Sequence, residues 1–327
     1  MATRVVKSFG IGALVARAAL AWIRSDPRAA QLERTNFHGR TVTLAGGPAL
    51  AAGATVAAAA GAPSAAVAAA VLTAGTTSGA VGFYDDMVGN RPEQKSAKGF
   101  AGHLGALREG RVTSGMIKIA GLGAAGLAAA ALLARDPGVR AHRGRRRGGA
   151  VRRTTDVLLG AGVIAGTANL VNLLDLRPGR ALKAGTLIGT SLAVGRGAAV
   201  AAGTLGAGAA LLPSDLGEEI MLGDSGANAL GALLGVALAA RTGPAGRAVA
   251  LTVLAGLTAA SEKVSFTKVI QDTPWLRELD ALGRLARGMT GGPDQDLAGT
   301  RGSRAGHGGL RRAPLATRNL DLGSATP

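Results

Sequence analysis

The sequence predicts an all-α protein, a polytopic membrane helix bundle of about nine transmembrane helices. Three observations lead there. Of 327 residues 47% are hydrophobic and a further 52 are Gly, yet only 2% are aromatic, which is little for a soluble core built on Phe, Tyr and Trp. The apolar residues come as long Ala/Leu/Val/Gly runs almost free of charge, and a bilayer core asks for about 20 such residues in a row. The Arg residues cluster between those runs, where lipid headgroups would meet them.

The expected spans are 9–23, 43–61, 64–84, 115–134, 156–174, 182–196, 197–212, 224–240 and 246–262. The first contains Arg17 and runs into Arg24, Ser25, Asp26 and Pro27 without a cleavage signature, so it reads as a retained helix and not as a signal peptide. Stretches such as Ala57 to Ala60 and Ala124 to Ala131 are dense in small residues, which let helix backbones approach closely in lipid. Residues 263–287 mix charges with Val264, Phe266, Val269, Ile270, Trp275, Leu276, Leu279, Leu282 and Leu285, the pattern of an amphipathic helix lying on the membrane. From about 288 Gly, Pro, Arg and Asp dominate, and that composition predicts disorder. The organisation expected is thus a transmembrane domain, 1–262, and a basic tail, 263–327.

Composition also excludes functions. With no Cys there is no disulfide framework, thiolate metal site or Cys nucleophile. The net charge of +17 would suit nucleic acid, but one Tyr, two Trp and no reading motif argue against that partner. Gly121-Leu122-Gly123-Ala124-Ala125-Gly126 satisfies the dinucleotide pattern, but it lies inside an apolar run with no strand before it, so helix packing is the better reading. Gly223-Asp224-Ser225-Gly226 resembles a protease nucleophile segment, yet no His stands in a comparable context.

Three polar clusters remain, each at the end of a span. Gly82-Phe83-Tyr84-Asp85-Asp86 puts two adjacent carboxylates at a helix C-terminus, where the helix dipole and their mutual repulsion both oppose them unless a cation or proton compensates. Asn169, Asn172 and Asp175 recur at i, i+3 and i+6, roughly one helix face. Amides and acids there are expensive in lipid and usually face a bundle interior. Met221-Leu222-Gly223-Asp224-Ser225-Gly226-Ala227-Asn228 opens another span, where an acid also serves as an ordinary N-cap. Converging at one membrane face, these acids would suit Mg²⁺, which typically takes one or two carboxylates plus substrate phosphates. Lys95, Lys98, Arg108, Arg111 and Lys118 would hold a polyanionic substrate, or simply face headgroups.

In this order the clusters resemble the polyprenyl-phosphate N-acetylhexosamine-1-phosphate transferase superfamily, over roughly residues 30–262. Arg40-Thr41-Val42-Thr43-Leu44-Ala45-Gly46-Gly47 is similar to that family's Thr-Pro-Thr-Met-Gly-Gly segment, with Val42 for Pro and one residue extra. Gly82 to Asp86 resembles its aspartate pair, and Lys98-Gly99-Phe100 its Lys-Gly-Leu. Asn169-Leu170-Val171-Asn172-Leu173-Leu174-Asp175 matches Asn-x-x-Asn-x-x-Asp, and Leu222 to Gly226 is similar to Met-Gly-Asp-Thr-Gly. The resemblance implies a phospho-sugar transferase of cell-wall (peptidoglycan) biogenesis, in which a polyprenyl phosphate such as undecaprenyl phosphate attacks the pyrophosphate of a UDP-sugar and UMP is released. Asp224 would be the principal magnesium ligand. Asp85 and Asp86 would assist the metal or deprotonate the lipid phosphate, with Asp85 as the second metal ligand. Asn169, Asn172 and Asp175 would line the nucleotide pocket, with Lys98 as a further substrate contact. The partners implied are polyprenyl phosphate, a UDP-sugar and the lipid bilayer, with a homodimer left open.

This chain departs from the family in two places. The family continues as Asp-Gly-x-Asp-Gly, whereas here Asp175-Leu176-Arg177-Pro178-Gly179 puts Pro178 at the second acid. Residues 263–274 contain no His where the family has a His-rich loop, and Lys263, Lys268 or Arg177 are the substitutes at hand. Either the donor sugar differs, or the fold is kept without catalysis, as a scaffold or lipid-carrier binder in envelope assembly. A transporter or channel would also suit intramembrane Asn and Asp but does not require the acidic motifs. The resemblance places the active face in the cytoplasm of a multi-pass cell-membrane protein. That sets Arg140, Arg143, Arg145, Arg146, Arg147, Arg152 and Arg153 outside, against the positive-inside tendency.

Overall fold

A computed structural model describes residues 1–36, 38–89, 91, 99–141 and 149–284. Lys95, Lys98, the centre of the Arg-rich loop and the tail expected to be disordered lie outside the described residues. The helices are α1 (Ala2–Ser25), α2 (Gly46–Ala60), α3 (Ala65–Val88), α4 (Gly99–Arg108), α5 (Ser114–Leu133), α6 (Pro137–Ala141) and α7 (Ala150–Leu174), then α8 (Arg180–Ser191), α9 (Ala198–Leu216), α10 (Gly223–Arg241), α11 (Pro244–Ser261), α12 (Phe266–Asp272) and α13 (Pro274–Ala281). A 3₁₀ turn, Pro27–Leu32, leads into a small antiparallel hairpin of β1 (Glu33–Thr35) and β2 (Thr41–Thr43).

The longer helices alternate in direction between two ends. At one end Ser8, early in α1, donates to the carbonyls of Ala57 at the end of α2 and Ala199 at the start of α9. Ser64, before α3, donates to Asp136, after α5, which also meets Arg196, before α9. The acid-bearing ends of α3 and α7 and the start of α10 lie at the other.

Among the described residues five helices are long and apolar enough to cross a membrane: α1, α3, α5, α7 and α9. A sixth is counted if α11 and α12, bent by 90° at their junction, form one broken span. About nine spans were expected, and the difference is one of length and composition. At 15 and 12 residues, α2 and α8 are about 22 and 18 Å long, short of a hydrocarbon core of about 30 Å. Helix α10 has 19 residues, but it opens on Gly, Asp, Ser and Asn, and 16 of the 19 are buried. It is the axis of the bundle, enclosed by α2, α3, α7 and α9, and need not be lipophilic outside. Gly231 and Gly235 lie on the backbone of α7 at Thr167–Ala168 and Ile164, leaving no room for a Cβ, which is how small residues replace hydrophobic driving force in lipid. Two of the three dinucleotide-like glycines do similar work, Gly121 sitting on Val81 of α3 and Gly126 on Ala161 of α7, while a Cβ at Gly123 would meet nothing.

The outer faces carry exposed Leu14, Val56, Leu72, Leu127, Leu158 and Val253, apolar surface of the kind that meets lipid. The protein is thus a multi-pass membrane helix bundle. One compact unit spans Met1–Leu285.

The segment expected to be one amphipathic helix is two short ones, α12 and α13, with no buried residue in either and with Val269, Trp275 and Leu279 exposed. Asp280 fastens α13 to the bundle, accepting from Arg180 Nε and Nη2 (2.8 and 3.0 Å) and from Arg284 (2.9 and 2.8 Å). Burial alone would raise the Asp280 carboxyl, but these guanidinium hydrogen bonds outweigh it and hold the group below its ordinary value. A depressed carboxyl stabilises the fold above its unfolded pKa and loses that contribution as pH falls through the folded one. Hydrogen exchange along α13, corrected for intrinsic rate, is therefore expected to accelerate on acidification below the usual carboxylate range. In Asp280→Asn it should be fast already at neutral pH and show no such transition.

Candidate functional site

The hairpin builds the floor of the site. Thr43 donates its N–H to Glu219 O (3.2 Å) and accepts from Met221 N–H (2.9 Å), so the Arg40–Gly47 segment lies beside residues 219–222. Gly46 and Gly47 then abut the carbonyls of Met221 and Leu222. Two motifs far apart in sequence are thereby in van der Waals contact.

Helix α10 starts with Gly223 at φ +57°, a left-handed conformation that costs a residue with a Cβ about 1–2 kcal/mol. Helix α3 comes in flush against this turn because Gly82 has no Cβ to strike the Asp224 backbone. That approach lets the Asp86 carboxylate accept the N–H groups of Asp224 (2.8 Å) and Ser225 (2.9 Å). Asp86 is an N-cap supplied from another helix. The cost of two acids at the end of α3 is offset here, since the start of α10 presents unpaired N–H groups and the positive end of its dipole. Ser225 completes the joint by donating to Gly79 O (3.0 Å).

Asp85 and Asp224 face a common cation. Lys118, one turn into α5, places its Nζ 2.8 Å from Asp85 Oδ2 and 2.6 Å from Asp224 Oδ2. Thr113 caps the start of that helix by accepting from Met116 N–H (3.2 Å). On the other side Asn172 Nδ2 donates to Asp224 Oδ1 (2.5 Å). Asp175 caps α7 just beyond. Burial pushes its carboxyl well above the ordinary range, and the neighbouring Asp215, Asp224 and Asp86 push the same way, which favours its neutral, hydrogen-bond-donating form.

A cavity of about 280 Å³ opens beside Asp175, walled also by Asn36, Arg177, Asp215, Glu218 and Met221. Asp215 accepts Gly179 N–H (2.9 Å). Glu218 takes Asn36 Nδ2 (2.6 Å) and His38 Nδ1 (2.9 Å) while held at φ +56°. Strain of this kind is concentrated at sites where the surroundings over-determine the backbone.

The structure thus brings together Asp85, Asp86, Asn172, Asp175 and Asp224. Asn169 goes elsewhere: its Nδ2 donates to Thr258 Oγ1 of α11 (3.1 Å). An i, i+3, i+6 series fans over about 120°, wide enough to address two neighbouring helices. Lys98 lies outside the described residues. Arg111 pairs with Glu109 at the surface (2.7 Å). Of the substitutes for a His loop, Arg177 reaches the cavity wall, whereas Lys263 and Lys268 are exposed. Sequence reasoning missed Asp215 and Glu218. The signal available was the polar stretch Ser214-Asp215-Leu216-Gly217-Glu218-Glu219 just before the Asp224 motif.

Among the described residues no group of three or more His, Asp or Glu is arranged to hold a metal ion. The donor set that is present, two carboxylates converging on one positive charge with an amide alongside, fits a divalent ion that takes its remaining ligands from water or phosphate. Comparison with family models and with curated proteins returns no match.

Proposed function

We propose that this protein is a membrane transferase that moves a sugar-1-phosphate from a UDP-sugar to a polyprenyl phosphate at the Asp85–Asp224 site. One observation carries the reading: four polar motifs separated by apolar runs meet within hydrogen-bonding distance at one end of a membrane bundle. In the reaction an oxygen of the acceptor phosphate attacks the sugar-bearing phosphorus of the donor. The pyrophosphate P–O bond breaks and UMP leaves with the electron pair.

The chain's own residues divide the work. Asp86 fixes the start of α10, and Asn172 orients the Asp224 carboxylate. Asp175 and Arg177 offer hydrogen bonds to the donor in the adjoining cavity. Lys118 brings an ammonium to the pyrophosphate. Mg²⁺ held by Asp224 and Asp85 would neutralise phosphate oxygens as charge develops on the leaving UMP. A groove of about 490 Å³ between α2 and α3, walled by Ala51, Thr55, Leu72, Gly75 and Phe83, ends at Ser225 next to Asp224, a path from lipid for a prenyl chain. In this reading α1, α2, α3, α5 and α7 to α11 lie in the bilayer, the short or enclosed ones shielded by the longer, and the acid end faces the cytoplasm.

A second reading has its own observation. Lys118 fills the gap between the two carboxylates and Pro178 stands where a second loop acid would be, which suits a non-catalytic lipid-carrier binder. Purified protein given Mg²⁺, polyprenyl phosphate and a panel of UDP-sugars separates the two. UMP release supports the transferase, and its absence together with retained polyprenyl-phosphate binding supports the binder.

A further inference from the structure

Lys118 is placed unusually for a residue that only greets substrate. Its ammonium is not at the rim but between Asp85 and Asp224, at 2.8 and 2.6 Å, and all three side chains are at least three-quarters buried. Around it Asn172 and Asp86 already satisfy the other edges of the α10 start. A divalent ion seeking the same two carboxylate oxygens meets a tethered cation that is already there. Tethering matters because the competitor's effective concentration is fixed by the helix and not by the solution. The pair is also shielded from salt, so that breaking it is costly unless another cation replaces the charge.

We propose that Lys118 is a built-in counter-ion that competes with divalent cations for the Asp85–Asp224 pair and yields its place only when a second anion can receive its ammonium. This rests on the reading of Asp85 and Asp224 as the cation-binding acids. A pyrophosphate-bearing donor would supply both needs, since its oxygens accept from the displaced ammonium and furnish the ion's remaining ligands. Metal loading would then be coupled to substrate arrival, and in the substrate-free site the ammonium would offset one of the two carboxylate charges in a low-dielectric setting.

The test reads metal binding, not turnover, so it stands apart from whether the protein is a transferase. Mn²⁺ binding to detergent-solubilised protein is titrated by electron paramagnetic resonance, without nucleotide or lipid. Lys118→Gln is expected to bind at least ~10-fold more tightly than the unsubstituted protein, while Lys118→Arg, which keeps the charge, stays weak. Equal or weaker binding in Lys118→Gln overturns the proposal. Should Lys118→Gln not fold, the unsubstituted protein answers by amine labelling of Lys118, quantified by mass spectrometry. With Mn²⁺ and inorganic pyrophosphate both present and saturating, labelling is expected to rise several-fold relative to Mn²⁺ alone, and labelling that added pyrophosphate leaves unchanged overturns the proposal.

Discussion

Asp224→Asn is expected to abolish UMP release, lowering the rate at least about 10²–10³-fold, the range seen when one preorganised group serving transition-state charge is removed. The substitution is nearly isosteric. The backbone N–H groups that Asp86 accepts from are untouched, so the start of α10 should hold its conformation. What changes is the charge facing Lys118 and any divalent ion: one anionic ligand of two is lost. Asp85 alone then balances the ammonium, and metal loading weakens with it. The measurement is UMP release by the two proteins at matched thermal stability. Turnover within threefold of the unsubstituted protein would remove Asp224 from the chemistry.

Arg247→Ala is expected to give the largest loss of stability, about 3–5 kcal/mol. Arg247 and Asp156 are both almost fully buried at the end of the bundle away from the acids, with Nη1 to Oδ1 at 2.7 Å. The same guanidinium donates through Nε and Nη2 to Ala239 O (3.1 and 2.6 Å), closing the last turn of α10. One side chain therefore ties α7, α10 and α11. Truncation strands the Asp156 carboxylate in a low-dielectric setting without its guanidinium, which costs far more than the pair contributes against an apolar substitute. Denaturant titration in detergent micelles measures the loss. Arg247→Met combined with Asp156→Leu should recover most of it. A loss below 1 kcal/mol for the single substitution would show that the pair is solvated in practice.

The apolar runs were legible because lipid imposes a length and a composition on any helix that faces it. What they could not show is which helices face it: residues 224–240 read as a span in the sequence, yet α10 is the enclosed axis, with 16 of its 19 residues buried. The hairpin at Glu33–Thr43 also escaped, since three-residue strands in a short linker leave no periodicity to read. Residues 43–45, expected to begin a span, instead close that hairpin and precede α2. At the site the residue types were visible, and their partners were not. That Asp86 caps another helix depends on the missing Cβ of Gly82, a contact between residues 142 positions apart. That Asn172 turns to Asp224 while Asn169 turns to Thr258 follows from where α10 and α11 sit around α7, which spacing alone does not state. Lys118 was legible as a cation near the site. Its seat between two carboxylates is a tertiary fact.

The central claim is that carboxylates of separate helices share one cation at one end of the bundle. The chain has no Cys, so an introduced pair is the only pair of thiols. Asp85→Cys combined with Asp224→Cys, treated in membranes with a short bis-thiol reagent and digested, is expected to yield the cross-linked peptides in high proportion, while Asn169→Cys with Asp224→Cys yields few. Efficient linkage of the second pair and none of the first would contradict the account.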